Sequence, residues 1–208
     1  MTINVLGAFA PKITRMIRTD HANLLAVFHR YTADAPTSTR QALADRMCVA
    51  LEIHLKLEEE VFYPALRELF PEGEVILRSE PEHNAIRRLV ARLRRMSADD
   101  IGFDGAVLEL MRNFMHHVAD EETVLLPAAE RVLAEHLAEL GGRMSKRRFE
   151  LARPRVGEIL SGVVRSTPPS TLLMVGAAFG VGLLAAVLLG QREARDWAFF
   201  EALCSSRG

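Results

Sequence analysis

The chain carries one pattern of histidines and carboxylates twice, and this duplication restricts its fold more than any other feature. Asp20-His21 is followed by HLKLEEEVFYP at 54–64, and Glu82-His83 is followed by HVADEETVLLP at 117–127. His21 to His83 is 62 residues, while His54 to His117, Glu58 to Glu121 and Pro64 to Pro127 are 63 each. An internal repeat of this period reads as two copies of a helix pair related by a pseudo-twofold, each supplying half of one site that lies between them.

The surrounding pattern is helical. Ile13, Met16, Ile17, Leu24, Leu25, Val27 and Phe28 place a first helix over 12–33, closed by Asp34-Ala-Pro36. Thr37 or Ser38 caps a second that runs to about Phe70, a third spans about 74–97, and a fourth runs from about 104 to 139, before Gly141-Gly142. Short connections between long helices imply an all-α, antiparallel four-helix bundle. Pro64 and Pro127 fall inside helical patterns, where each either bends its helix or marks an early end.

His54 with Glu58, and His117 with Glu121, are spaced i, i+4 and so share one helix face about a turn apart. His21 and His83 on the other two helices complete a set of four imidazoles and two carboxylates projecting into one bundle core. Nitrogen and oxygen donors without sulfur favour iron over manganese or zinc. Ferritin-like dimetal bundles place the glutamate before the histidine, as Glu-x-x-His, whereas here the histidine comes first. The H-E-x-x-H signature of zinc proteases is also missing.

On these residues the chain resembles the hemerythrin-like, HHE cation-binding family over about residues 10–140. The resemblance rests on D-H in the first helix, H-x-x-x-E-E with a downstream proline in the second, E-H in the third, and H-x-x-x-E-E with its proline in the fourth. It implies a four-helix bundle around a non-haem di-iron centre, with two iron ions held by His21, His54, Glu58, His83, His117 and Glu121. It assigns no catalytic residue. Oxygen-carrying members add a histidine one turn after the third-helix ligand, and Arg87 stands there in this chain. An arginine cannot ligate metal, which speaks against reversible oxygen carriage and for sensing, redox or nitrogen-oxide chemistry. The cysteine-bearing N-terminal segment of members that repair iron centres has no counterpart here.

Other polar residues receive plainer readings. His29, His116 and His136 are expected to be packed or exposed; His29 lies about 12 Å along the helix from His21, and His116 points roughly 100° away from His117. Glu59, Glu60 and Glu122 face solvent or hold a ligand imidazole by its other nitrogen, and Asp20 and Glu82 cap locally or do the same. Tyr31 and Tyr63 read as core tyrosines with ordinary partners.

Charge and hydropathy divide the rest of the chain. Residues 143–208 carry 10 Lys/Arg against 5 Asp/Glu, leaving 16 against 22 for residues 1–142. Leu172–Leu189 is apolar throughout, long enough as a helix to cross the roughly 30 Å hydrocarbon core. The cations before it (Arg143, Lys146, Arg147, Arg148, Arg153, Arg155, Arg165) place the front domain on the cytoplasmic side. Gly176 and Gly180 form a G-x-x-x-G that would let two such helices pair as a homodimer. The expected organisation is a metal-binding bundle over 10–142, a basic juxtamembrane linker over 143–170, a transmembrane helix over 171–190 and a short tail over 191–208. With only Cys48 and Cys204, no disulfide framework or thiolate site is built, and Cys48 reads as a small buried hydrophobe. The N-terminus has no basic residue before its apolar stretch and does not read as a secretory signal. No basic groove with stacking aromatics points to nucleic acid.

Four functions fit this reading: a membrane-anchored di-iron protein that binds or senses oxygen, nitric oxide or peroxide; a di-iron oxidoreductase fed by a partner reductase; an iron-homeostasis regulator; and a membrane scaffold. Binding or sensing is favoured over catalysis, because the sequence carries no flavin, haem or redox-cysteine motif to deliver electrons.

Overall fold

A computed structural model of the chain describes residues 11–68 and 74–166, and all regular structure among them is helical. The elements are α1 (Ile13–His29), α2 (Thr37–Leu57), α3 (Tyr63–Arg67), α4 (Glu74–Leu93), α5 (Phe103–Asp120), α6 (Leu126–Val132), α7 (Leu137–Ala152) and α8 (Val156–Ser166). Five-residue π-helical turns, Glu58–Phe62 and Glu121–Leu125, join α2 to α3 and α5 to α6, so each pair reads as one continuous rod. These two rods, α1 and α4 form the expected bundle, with α1 packed on α2, and α4 packed on α2 and α5.

The buried positions of α1 are Ile13, Ile17, His21, Leu24 and Phe28, a stripe at helical spacing that places a histidine among apolar neighbours. The same holds in α5, where Phe103, Val107, Leu110, Phe114 and His117 face inward. Assembled, the four stripes divide the core into three layers. One apolar cluster contains Leu24, Phe28, Leu51, Leu55, Ile86, Val90, Leu110 and Phe114. The other contains Ile13, Ile17, Leu57, Phe62, Tyr63, Leu66, Leu125 and Leu126. The histidines and glutamates occupy the level between them.

The prolines neither end their helices nor break them. At each, the backbone widens by one residue: the Tyr63 N–H donates to the Glu58 carbonyl and the Leu126 N–H to that of Glu121, both i to i−5. A π turn is a single-turn insertion often found at functional sites. Here it absorbs the donor that Pro64 and Pro127 lack and the crowding that their rings impose on the preceding turn. Both insertions begin at a candidate ligand glutamate, so the repeat extends to backbone geometry.

Two expectations are corrected beyond residue 132. The fourth helix does not run to 139, since α6 ends at Val132 and the chain turns before α7. Gly141-Gly142 does not stop a helix either, because both lie inside α7. A glycine costs a helix about 1 kcal/mol, but α7 buries Leu137, Leu140 and Met144 in the second apolar cluster, each worth roughly 1.5–3 kcal/mol. Burial wins. Gly141 is needed for another reason: a Cβ there would stand 1.8 Å from the carbonyl oxygen of Pro11, so only glycine lets α7 seat against the start of α1.

The stretch read as a basic linker is therefore folded as far as Ser166. Arg147 pairs with Glu60, Arg148 with Asp20 and Arg155 with Glu52, while Arg94 bonds both Glu52 and Glu158 and holds α8 on α2. Gly162 of α8 lies against the Arg46 side chain. Spacing within 143–165 could not reveal this, because the partners lie up to 128 residues away. Among the described residues no helix is long and apolar enough to cross a membrane. The candidate span over 171–190 and the tail over 191–208 lie outside the described residues.

Candidate metal centre

All six candidate ligands are buried, with exposures of 0–2%. One donor atom from each of His21, His54, Glu58, His117 and Glu121 lies within 4.8 Å of the others. His83 flanks this group, its Nε2 3.4 Å from Glu58 Oε2 and its ring 4.7 Å from that of His117. Glu58 faces both halves of the repeat: Oε1 is 3.3 Å from His54 Nε2 and 4.0 Å from His21 Nε2, while Oε2 is 3.6 Å from His117 Nε2. Glu121 Oε2 lies 3.3 Å from His21 Nε2 and 3.7 Å from His117 Nε2.

The other ring nitrogens point outward, each toward a carboxylate. His21 Nδ1 is 2.9 Å from Glu122, His83 Nδ1 is 2.7 Å from Glu59, and His117 Nδ1 is 3.2 Å from Glu82. His54 Nδ1 faces Asp20 at 3.7 Å, just beyond hydrogen-bond length. The arrangement repeats under the pseudo-twofold, with Glu122 matching Glu59 and Asp20 matching Glu82. Such outer carboxylates fix the tautomer of a ligand histidine and raise its basicity. Glu122 and Glu59 cross between halves, so the two repeats buttress each other's histidines.

The inward atoms have no such partners. Nε2 of His21, His54 and His117, both oxygens of Glu58 and Oε2 of Glu121 make no hydrogen bond within the protein although all are buried. Leaving a buried polar atom unpaired costs about 1–3 kcal/mol, so six converging on one point form an unfavourable arrangement unless a cation neutralises it. This donor set fits a hard or borderline metal ion, and it has no other evident purpose.

Two features break the symmetry. Tyr63 donates its hydroxyl to Glu121 Oε1 at 2.7 Å and lies 3.1 Å from His83 Nε2, while the repeat places Leu126 at the corresponding position. Burial, with Glu58 and Glu121 nearby, keeps Tyr63 a neutral phenol. It is therefore part of the site and not only a core tyrosine. Arg87 pairs with Glu59, which in turn holds His83, so this arginine acts one step out from where the resemblance would place a further histidine. Phe114 packs its ring 5.9 Å from those of both His21 and His54; the sequence reading missed it, and its place three residues before His117, on the same helix face, is the signal that points to it. Tyr31 bonds Asp104 away from the site, and His29, His116 and His136 are exposed. Cys48 is buried.

Crowding shows in the protonation equilibria. Burial and the Glu121 carboxylate push Glu58 up to about 8. Burial also pushes Glu121 upward, but His117 and His21 outweigh it and hold this carboxyl below the usual range. Burial lowers His54 to about 4. It opposes charge on His21, His83 and His117 too, but the neighbouring carboxylates outweigh it and raise all three. A raised group stabilises the fold fully below its ordinary pKa and ceases to do so as pH climbs through the raised value. From pH 6.5 to 8 Glu58 loses its proton, and His21, His83 and His117 hold theirs above the ordinary histidine value, whereas His54 and Glu121 are already deprotonated. The metal-free fold should weaken across this window while a cation, which needs the deprotonated groups, binds more tightly. Melting curves with and without ferrous iron should therefore show a stabilisation that grows from pH 6.5 to 8; a shift that shrinks would contradict the assignment.

Comparison with known proteins agrees with this geometry. The family model described as Hemerythrin HHE cation binding domain matches residues 12–141. The uncharacterized protein Rv2633c of Mycobacterium tuberculosis is 29% identical over 132 residues, 61% of this chain and 80% of that protein. A DNA nickase of Nostoc is 25% identical over 150 residues, 72% of this chain but 41% of that protein. The crystal structure of a hemerythrin HHE cation binding domain-containing protein from Mycobacterium kansasii, a homologue of Rv2633c, shares the fold. It has a TM-score of 0.61 and 22% identity, and the match covers 76% of this chain and 99% of that one.

Proposed function

The chain belongs to the hemerythrin HHE cation binding domain family, and from that premise we propose that it is a non-haem di-iron protein that binds or senses oxygen, nitric oxide or peroxide. The six inward donor atoms without a partner carry this reading. His21 and His54 from one half, His83 and His117 from the other, and the shared Glu58 and Glu121 would hold the metal. Nitrogen and oxygen donors of this kind suit iron. Bound iron would supply open coordination positions and one-electron chemistry for a small diatomic ligand or peroxide.

The chain's own residues favour a closed, selective site. The apolar layers on either side keep bulk water from the histidine level, which strengthens electrostatic interactions inside it. Tyr63 places a hydrogen-bond donor beside Glu121 and His83, on one side only. Arg87, bonded to Glu59, leaves His83 and His117 as the histidines of their half, which favours sensing or redox chemistry over reversible oxygen carriage.

A second reading, an iron-dependent regulator, is favoured by the cost of the unpaired donors, since iron binding would then change the stability of the bundle itself. The apolar run Leu172–Leu189 supports tethering of the bundle to a membrane, with its N-terminal side cytoplasmic. With Arg147, Arg148 and Arg155 engaged inside the protein, headgroup contact would fall to Arg143, Lys146, Arg153 and Arg165, which form no ion pair among the described residues.

The deciding experiment loads the full chain anaerobically with ferrous iron, then measures iron stoichiometry and the optical spectrum before and after oxygen and nitric oxide. Two irons and a new visible band on gas addition are expected. Iron that stabilises the fold without any spectral response moves the assignment to the regulator, and no bound iron overturns both.

A further inference from the structure

We propose that Arg148 is a positioning residue for His54, which makes α7, a helix outside the duplicated bundle, a working part of the cation site. The inference rests on the reading that the histidine and glutamate cluster holds a cation.

Arg148 reaches from α7 to α1 and grips both oxygens of Asp20, at 2.6 Å each. Asp20 is mostly buried, its side chain 13% exposed, and its Oδ2 faces His54 Nδ1 at 3.7 Å. His54 Nδ1 has no hydrogen bond in the protein, so Asp20 is the group in place to orient this imidazole. An exposed ion pair contributes roughly 0–1 kcal/mol, but a two-pronged arginine clamp on a largely buried carboxylate is both stronger and more directional.

The repeat provides an internal comparison. Glu82 occupies the matching place beside His117 and is 29% exposed, against 13% for Asp20. Glu122 and Glu59 do have arginines, but Arg18 and Arg87 come from the bundle helices α1 and α4. Among the described side chains, only the support of His54 originates outside the duplicated unit. Leu137, Leu140 and Met144 anchor α7 in the apolar layer next to the site, so the guanidinium is delivered from a seated helix. Movement of α7 would release Asp20 and with it the aim of one ligand.

The test compares the full-length wild type with Arg148→Gln, Arg148→Lys, Asp20→Asn and the Arg148→Gln/Asp20→Asn pair. The control is Arg147→Gln, which removes a neighbouring α7 arginine bonded to the exposed Glu60. Ferrous-iron affinity is read by chelator competition, and metal-free melting is measured in parallel. Loss of an outer partner of a metal ligand typically weakens binding about 10–100-fold. That loss is expected for Arg148→Gln and for Asp20→Asn, with the pair no worse than either alone, partial recovery in Arg148→Lys and none of the effect in Arg147→Gln. Should Arg148→Gln fail to fold, Asp20→Asn reads the same link without removing the arginine. A lower metal-free melting temperature with unchanged affinity in both would show a purely structural bridge and overturn the proposal. A wild type that binds no iron overturns the cation reading itself, a distinguishable failure.

Discussion

Glu58→Gln is expected to reduce iron binding at least about 100-fold, beyond the loss typical of an outer partner, while leaving the metal-free protein as stable as the wild type or more so. The two halves of this expectation have one cause. Glu58 is fully buried and faces histidines of both repeats, 3.3 Å from His54 and 3.4 Å from His83, so its loss removes charge from the whole cluster at once. In the metal-free fold that same carboxyl is disfavoured by burial and by Glu121, which is why it holds its proton up to about 8. Glutamine keeps the shape without the charge. Iron stoichiometry measured beside thermal melting separates the outcomes: retained binding would remove Glu58 from the ligand set, and a simultaneous collapse of metal-free stability would mean that it serves the fold.

Phe114→Ala should have the largest effect on stability. The ring is fully buried, 5.7 Å from Phe28, 5.9 Å from His21 and His54, and 6.4 Å from His117. Truncating such a phenylalanine costs about 3–5 kcal/mol, because packing is lost and a cavity remains. Against a typical total of about 5–15 kcal/mol, at about 2–4 °C per kcal/mol for a protein of this size, melting should fall by about 6–20 °C. The cavity would also open beside three ligand imidazoles, so iron affinity should fall too. Phe149→Ala, at a ring 59% exposed, should stay within about 0.5 kcal/mol. A Phe114→Ala loss below about 1 kcal/mol would show that the layer next to the histidines repacks freely.

The cluster of candidate ligands was legible in sequence because duplication makes its members support one another: an i, i+4 pair on each of two helices and a single histidine on each of the others leave one geometry in which all face inward. The outer carboxylates were half legible. Asp20, Glu59, Glu82 and Glu122 stand next to candidate ligands in the chain, but each serves a histidine on another helix, and helical periodicity says nothing about which. Gly141-Gly142 misled because glycine's local cost is visible in sequence, whereas the approach of Pro11 is not. Arg148 carried no signal at all, being one cation in a basic stretch until α7 folds back to Asp20.

The sequence by itself thus determined the four bundle helices, though not where the last one ends, with their duplicated inner faces and the nitrogen and oxygen donors, since these depend on residue type and on spacing within a few turns. Only the tertiary structure decided which carboxylate holds which imidazole, how the backbone widens at Pro64 and Pro127, that Tyr63 stands on one side of the site, and that residues 137–166 close over the bundle. Those outcomes depend on distances between atoms far apart in the chain, and these are set by packing and not by local preference.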